Sequence, residues 1–206
     1  MKKSQLTKKL NELASVLSSE AATKAIKILK AEISSYREPK NIASSTSGLV
    51  LPPEVQGHTD RIALYTDGAC RGNPGPGSWA YLIQNSEGEI VEEGSEHEEH
   101  TTNNKMELKA ILFGLKTLES SGKEVWVYTD SKYAVDGMKS WVTGWKRRGW
   151  KKADKKVPEN VEIWKELDLL NTKMDISFNW VKGHSGHPQN EYVDQLANKE
   201  LDENGF

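Results

Sequence analysis

The chain has very little cysteine: Cys70 is the only one among 206 residues. A single thiol excludes an internal disulfide, and it excludes a metal site built from several thiolates. This use of cysteine fits a reducing compartment, and we expect a cytoplasmic location. The lack of thiolates turns attention to oxygen ligands for any metal ion that the chain binds.

Long apolar runs are also missing. No segment approaches the roughly 18 to 20 apolar residues that a helix needs to cross a bilayer. The N-terminal segment, MKKSQLTKKLNELASVL, begins with basic residues, but polar residues interrupt the apolar ones and no small-residue cleavage site follows. This segment lacks the pattern of a signal peptide, and we expect no association with a membrane.

The formal net charge of −2 hides a strongly uneven distribution. Residues 139–156, which we call the basic segment, contain eight Lys or Arg and only one acid, Asp154. The rest of the chain is therefore acidic. Positive charge concentrated in this way predicts that a polyanion binds at one place on the surface.

Aromatic residues are scarce before residue 61, where Tyr36 occurs but neither Trp nor Phe. Within residues 1–36, leucine and isoleucine recur at steps of three and four, which predicts a small helical hairpin. Residues 37–60 contain three prolines, a cluster of Ser and Thr and no periodic pattern. We predict a linker there.

After the linker, residues begin to alternate as in a strand, with Ile62 and Leu64 on one face and Ala63 and Tyr65 on the other. Continued along residues 61–206, the patterns predict elements in the order βββαβαααβα. This order is typical of an α/β domain with a mixed five-stranded sheet. We expect the first three strands to form an antiparallel meander and the helices to cover both faces.

Four acidic residues occur where this layout places active sites. Asp67 lies within or at the end of the first predicted strand, and Glu107 lies in the first turns of the next helix. Asp130 ends a later strand, and Asp194 lies on the last helix. Each also has an ordinary explanation. Asp67 suits a turn and Glu107 a helix start, while Asp130 could cap a helix and Asp194 could face solvent.

The alternative explanation is that the four acids converge, because sites in α/β sheets gather at strand ends and helix starts. Carboxylates that lie close together repel one another unless a cation neutralises them. Oxygen ligands that leave room for water and substrate phosphate suit Mg²⁺. The spacing alone leaves both explanations open.

The sequence motifs that contain the acids resemble those of a known protein family. Six motifs occur in the order YTDGACRGNPGPG, TTNNKMEL, YTDSKY, WKRRGWKKADKK, NVEIWKELD and WVKGHSGHPQNEYVDQLA. Together they resemble type 1 ribonuclease H of the bacterial kind with a basic protrusion, over about residues 61–201. The resemblance implies a ribonuclease H-like fold and an endonuclease that hydrolyses the RNA strand of RNA/DNA hybrids, leaving 5′-phosphate and 3′-hydroxyl ends.

The resemblance also implies roles for the acids. Asp67, Glu107, Asp130 and Asp194 would hold two Mg²⁺ ions, or Mn²⁺, with Asp67 bridging them. His184, in the loop after the last strand, would be a mobile histidine that aids proton transfer and product departure. A histidine in such a loop is otherwise simply exposed.

Contacts to the hybrid are implied in the same way. Near the cut they would come from Asn73, Asn104 and Lys132, and Lys132 departs from the Gln that many relatives have. The DNA strand would be held by Thr102, Asn103, Trp141, Trp145, Lys146, Arg147, Arg148, Lys151, Lys152, Lys155 and Lys156. For the two Trp residues, packing in the core is the stronger expectation, and the cations could instead form a solvated face.

Other functions stay open from the sequence. One is a non-catalytic module on the same fold that binds hybrids or double-stranded RNA, and another is a fragment of a reverse transcriptase. The presence of all four acids and His184 favours an enzyme. Some relatives carry an aromatic-rich hybrid-binding domain before the catalytic domain, which residues 1–60 do not resemble. We expect residues 1–36 to contact the catalytic domain, a protein partner or another copy of the chain.

Overall fold

The computed structural model describes residues 49–206, so the hairpin predicted for residues 1–36 and the first part of the predicted linker lie outside the described residues. The strands are β1 (Arg61–Cys70), β2 (Gly75–Gln84), β3 (Ile90–Thr101), β4 (Glu124–Thr129) and β5 (Ile176–Trp180). The helices are α1 (Asn103–Leu118), α2 (Lys132–Asp136), α3 (Val142–Arg147), α4 (Val161–Lys173) and α5 (Pro188–Glu203), with a π-helical turn (Gly137–Trp141) between α2 and α3.

The five strands form one mixed sheet in the order β3-β2-β1-β4-β5. β1, β2 and β3 form the predicted antiparallel meander, whereas β4 is parallel to β1 and β5 is parallel to β4. Thr66 of β1 pairs with Thr129 of β4, which in turn pairs with Trp180 of β5. The carboxyl ends of the three parallel strands therefore lie side by side, and the residues that follow them meet at one edge.

Alternation along the strands builds a core on each face of the sheet. Ile62 and Leu64 pack in a cluster with apolar residues of α1 and α4. Ala63 and Tyr65 point to the other face, where they pack with Val193 of α5. The predicted fold, a mixed five-stranded sheet with helices on both faces, is confirmed. Within residues 49–206, none of the helices combines the length and apolar character that crossing a bilayer requires.

The basic segment is less helical than its pattern predicts. After the π-helical turn, α3 ends at Arg147, and the chain to Asn160 is irregular. Gly149 (φ 65°), Trp150 (φ 61°) and Lys155 (φ 67°) adopt left-handed backbone conformations, which interrupt an α-helix. The cations beyond α3 therefore lie on a turn of the chain rather than along one helical face.

Strand β3 forms one edge of the sheet and carries many charges. It pairs with β2 only, among the residues described. Its acids are Glu92, Glu93, Glu96, Glu98 and Glu99. Glu98 forms ion pairs with Lys105 and Lys109 of α1, and Glu93 accepts a hydrogen bond from the Tyr192 hydroxyl (2.5 Å). Some of the glutamates on this edge strand therefore form contacts that join the strand to the helices.

The end of the predicted linker takes part in the core. Leu51 (6% exposed) and Val55 (0% exposed) pack with Ala63 and Tyr65 on the face covered by α5. Two apolar residues among prolines and glycines show no period, so the sequence pattern does not reveal their burial. At least the stretch from Leu51 to Val55 is therefore packed against the sheet, although the boundaries of the predicted linker remain a prediction.

We expect Leu51→Ala to destabilise the full chain by about 2–4 kcal/mol, because it removes a buried side chain and leaves a cavity. The free energy of unfolding would be measured by urea denaturation. Val50→Ala is the matched control, since Val50 is 74% exposed and its loss should change stability by less than about 0.5 kcal/mol. An effect of Leu51→Ala as small as that of the control would mean that the segment behaves as a linker throughout.

Candidate active site

Asp67 lies near the end of β1 and is nearly buried. The backbone N–H of Gly68 donates a hydrogen bond to its Oδ1 (2.8 Å), which fixes the orientation of the carboxylate. Gly68 also allows α1 to approach the strand. A Cβ at this position would overlap the backbone nitrogen of Glu107, so a larger residue would push the helix and its acid away.

Glu107 is carried to the site by the start of α1. Thr102 caps this helix, and its hydroxyl accepts a hydrogen bond from the backbone N–H of Lys105 (3.4 Å). One turn later, Glu107 is 6% exposed, and its Oε1 accepts a hydrogen bond from the Asn103 side chain (3.3 Å). Its Oε2 is buried and has no hydrogen-bond partner among the described residues. An orphaned buried carboxylate oxygen is costly, and a cation would satisfy it.

Asp130 follows β4 and is held from three sides. The Asn190 side chain donates to its Oδ2 (3.2 Å), and the Trp180 indole donates to its backbone carbonyl (3.0 Å). Gly183 passes so close that a Cβ there would overlap the same Oδ2. The next residue, Ser131, caps α2, so the cap is Ser131 rather than Asp130.

The structure brings three of the predicted acids together. Asp67, Glu107 and Asp130 each offer a carboxylate oxygen, and these three oxygens lie within 4.8 Å of one another. Asp194, on α5, lies outside this trio and is partly exposed. Its charge nevertheless acts on Asp67, whose pKa it helps to raise, and its own carboxylate accepts a hydrogen bond from the Asn198 side chain (3.0 Å).

Burial and mutual repulsion change the acidity of this group. Burial, together with the nearby charges of Asp130 and Asp194, raises the pKa of Asp67 to about 8. Burial also raises the pKa of Glu107 well above its usual range, again with help from Asp67 and Asp130. The protein alone therefore disfavours the fully ionised trio. The orphaned Glu107 oxygen and this repulsion both fit a site for divalent cations with hard oxygen ligands.

Most residues predicted to contact the hybrid near the cut surround Glu107. Asn73, in the loop between β1 and β2, accepts a hydrogen bond from the backbone N–H of Asn103 (3.3 Å). Asn104 is exposed beside it, and Thr102 caps the helix. The loop and the helix start thus form one polar surface next to the carboxylates. Lys132 lies on the other side, directly after Ser131.

His184 lies in the loop between β5 and α5 and is exposed. Its backbone is left-handed (φ 50°), and it follows Gly183, which contacts the carboxylate of Asp130. The loop that carries His184 therefore borders the acidic trio. Next to it, the backbone N–H of Gly186 donates to Glu191 (3.1 Å), which ties the loop to the first turn of α5.

The basic segment contains tryptophans that pack against other rings and Lys and Arg side chains that are exposed. Trp145 is 8% exposed and packs against Trp141 and Trp164, so we correct its predicted substrate contact to a packing role. Trp141 is only partly buried. Lys146 forms an ion pair with Asp168 (2.8 Å). Within residues 49–206, no ion pair to a carboxylate involves Arg147, Arg148, Lys151, Lys152, Lys155 or Lys156.

Four residues that shape the site are not apparent from the sequence as site residues. Gly68 and Gly183 make room for it, while Asn190 and Trp180 hold Asp130. The glycines adjoin Asp67 and His184, which is a signal that packing around these residues is tight. Asn190 and Trp180 have no such signal, because their contacts join elements that are distant in the chain.

The family model for RNase H matches residues 59–202. A ribonuclease H from Ruegeria pomeroyi is 52% identical over 139 residues, which are 66% of this chain and 89% of that protein. A ribonuclease H from Legionella pneumophila is 48% identical over 143 residues, which are 69% of this chain and 98% of that protein.

Solved structures give the same result. LC9-RNase H1, described as a type 1 RNase H with the type 2 active-site motif, is 35% identical with a TM-score of 0.61, over 68% of this chain and 71% of that chain. LC11-RNase H1, solved in complex with an RNA/DNA hybrid, is 27% identical with a TM-score of 0.55, over 69% of this chain and 98% of that chain. The residues matched by the family model include all four carboxylates described above, and the chain belongs to the ribonuclease H family.

Proposed function

We propose that this chain hydrolyses the RNA strand of RNA/DNA hybrids with two divalent metal ions held by Asp67, Glu107, Asp130 and Asp194, and that it leaves 5′-phosphate and 3′-hydroxyl ends. The observation that carries the proposal is the trio of carboxylates, with a buried Glu107 oxygen that has no partner in the described residues. Membership in the ribonuclease H family supports the activity.

The protein's contribution is to hold charge in fixed positions, because phosphodiester hydrolysis needs little covalent help from side chains. When bound, divalent ions lower the pKa of a water molecule and stabilise the departing 3′ oxygen. Asp67 is held on a strand by the Gly68 N–H, and Asp130 is held by Asn190 and Trp180. Anchors of this kind fix the spacing of the ligands.

Magnesium is the proposed ion, with Mn²⁺ as a substitute. Carboxylate oxygens without nitrogen or sulfur donors match the preference of Mg²⁺. Asp194 would complete the ligand set, since its charge acts on Asp67 and its partial exposure leaves it accessible from solvent. His184, on the bordering loop, would move protons at the site rather than hold metal.

The proposed substrate surface has two parts. Asn73 and Asn104, on the polar surface beside Glu107, suit 2′-hydroxyls of the RNA strand across the wide minor groove of an A-like duplex, and Thr102 and Asn103 would hold the DNA strand next to them. The exposed cations of the basic segment would bind backbone phosphates without regard to sequence. The neighbour solved with an RNA/DNA hybrid supports this type of substrate.

The remaining parts of the proposal concern the whole chain. Residues 61–206 would form the catalytic domain, and residues 1–36 would bind a protein partner or a second copy. The single cysteine supports a cytoplasmic location. A binding module without catalysis is the second candidate, and the buried trio argues against it, because repelling acids without a cation would only cost stability.

The decisive experiment is cleavage of a hybrid labelled on the RNA strand, with MgCl₂ or with EDTA. We expect nicking of the RNA strand that requires the metal, together with 5′-phosphate and 3′-hydroxyl ends. Duplex RNA and duplex DNA of the same sequence are the controls and should remain intact. Binding of the hybrid without cleavage in either Mg²⁺ or Mn²⁺ would identify the chain as a binding module.

We expect His184→Ala to lower kcat by roughly ten- to a hundredfold, at or below the usual range for a general acid or base, with little change in hybrid affinity. A histidine exchanges protons near neutral pH, and its loop borders the carboxylates. Single-turnover and steady-state rates on one hybrid would separate chemistry from product release. His58→Ala is the matched control, since His58 is exposed near the opposite end of β1. Wild-type rates in both measurements would remove His184 from the mechanism.

A further inference from the structure

Trp180 is an unusual residue for its position. Among the Trp, Tyr and Phe residues within 49–206, it has the one clearly exposed side chain (44%), and it ends β5 beside the acidic trio. Exposing an indole has an energetic cost, and its burial elsewhere would stabilise the fold. Its N–H is not free, because it donates to the backbone carbonyl of Asp130 (3.0 Å). One edge of the ring is thus anchored to a residue of the trio.

The face of the same ring contacts a cation. The Lys132 ammonium lies 4.8 Å from the centroid of the Trp180 ring, which is within the range of a cation–π interaction. Lys132 is exposed, and among the described residues it forms no ion pair with a carboxylate. Its charge therefore remains available to an anion from solvent.

The backbone positions of Lys132 and Trp180 are both fixed by regular elements next to Asp130. Lys132 begins α2 two residues after Asp130. Trp180 pairs with Thr129, the residue just before Asp130. A lysine side chain is long and flexible, and holding it in one orientation costs conformational entropy when a ligand binds. The indole restricts the ammonium before the ligand arrives. The anion that would approach here is the sugar-phosphate backbone that must pass the acidic trio.

We infer that Trp180 is a positioning residue, which holds Lys132 as a phosphate contact for the nucleic-acid strand at the site and anchors the backbone of Asp130. This inference rests on the proposed function. The two tasks use different parts of the indole. The ring face acts on substrate affinity through Lys132, and the N–H acts on the rate through Asp130.

Substitutions can separate the two tasks. Lys132→Gln should raise KM about three- to tenfold and lower the slope of log Kd against log salt by about one, because one phosphate contact is lost. Trp180→Leu should raise KM to a similar extent and also lower kcat. In Trp180→Phe the ring face remains but the N–H is lost, so kcat should fall severalfold while KM changes less. Lys132→Arg should recover most of the affinity lost in Lys132→Gln.

The double variant is the sharpest test. If Trp180 acts on affinity through Lys132, the double variant Lys132→Gln/Trp180→Leu should have a KM close to that of Lys132→Gln alone. Lys116→Gln is the matched control. Its ammonium also lies over a ring, at 5.5 Å from the Phe113 centroid, but near the far end of α1 from Glu107. It should change neither KM nor the salt slope.

Several outcomes would overturn the inference. Additive effects on KM in the double variant would show that the two residues act independently, and an unchanged KM in Lys132→Gln would remove the phosphate contact. If Trp180→Leu fails to fold, Trp180→Phe still tests the N–H anchor through kcat, and the Lys132 variants still test the phosphate contact. Failure of this inference can be told apart from failure of the proposed function. If the wild type cleaves the hybrid but the Lys132 variants behave like the wild type, the inference fails and the proposed activity stands. Kd and its salt slope can be measured even without cleavage.

Discussion

Asp67→Asn should reduce metal-dependent cleavage of an RNA/DNA hybrid to background while hybrid binding is retained. Asp67 lies in the centre of the carboxylate group, near Glu107, Asp130 and Asp194. Asparagine has nearly the same shape but only one neutral oxygen, so it removes a metal ligand and leaves the basic segment unchanged. Cleavage would be measured in Mg²⁺ and in Mn²⁺, and Kd by a fluorescent hybrid in EDTA. Cleavage near the wild-type rate would contradict the proposed metal site.

The same substitution should stabilise the protein when no divalent metal is present. Because burial raises the pKa of Asp67 to about 8, ionisation of this carboxyl is less favourable in the folded state than in the unfolded state. Stability is therefore greatest well below pH 4 with respect to this group, and it is lost as the pH rises toward about 8. Asparagine removes that loss.

Thermal unfolding in EDTA provides the measurement. At pH 8 we expect Asp67→Asn to raise Tm by several degrees, as about 1–2 kcal/mol would do in a chain of this size, and the gain should shrink at pH 5. Asp175→Asn, an exposed acid just before β5 and far from the site, should show no such pH-dependent gain. Added Mg²⁺ should raise the Tm of the wild type more than that of the variant. A variant less stable than the wild type at every pH would indicate that Asp67 has a structural role.

Replacing Lys151, Lys152, Lys155 and Lys156 with Ala should weaken hybrid binding by about a hundredfold in low salt. None of the four forms an ion pair with a carboxylate in the described part of the chain, so they are free to bind phosphates. Each lost contact releases about one counterion fewer, and the slope of log Kd against log salt should fall by about three to four. kcat should change less than Kd.

A second set of four lysines serves as the control for this experiment. Each member forms an ion pair with a glutamate: Lys116, Lys165, Lys173 and Lys199. Replacing them with Ala changes the net charge by the same amount, so an effect of total charge would appear in both variants. If both sets alter the slope equally, or if neither does, the basic segment is a solvated face rather than a binding surface.

The strands of the sheet can be predicted from the sequence because helices cover both faces, so the residues on each face are apolar in a regular pattern. Alternation in β1 assigns Ile62 and Leu64 to one face and Ala63 and Tyr65 to the other, as the structure has them. The acids are predictable for a related reason. Asp67 lies near the end of β1 and Asp130 directly follows β4, and these strands turn out to be neighbours, so the convergence of the two acids follows from the topology.

Other features depend on contacts that no local pattern records. Leu51 and Val55 look like part of a linker because their burial depends on α5, far away in the chain. The spacing of Trp145 from Trp141 is the same whether Trp145 packs in the core or contacts the substrate. Its packing against Trp164, which is distant in the sequence, distinguishes these roles. The hydrogen bond from Trp180 to Asp130 joins two strand ends that are separated by 50 positions in the sequence.

The charged edge strand β3 has a consequence for behaviour in concentrated solution. The outer side of an edge strand offers unpaired backbone groups to which a strand of another molecule can add, which is a route to polymerisation and amyloid. Adding a second β3 would bring its five glutamates, of which Glu98 is paired with lysines, close to the five of the other copy. The repulsion weakens with salt and disappears when the carboxylates are protonated. The acidic edge thus keeps molecules apart in neutral solution, without using the surface that faces nucleic acid.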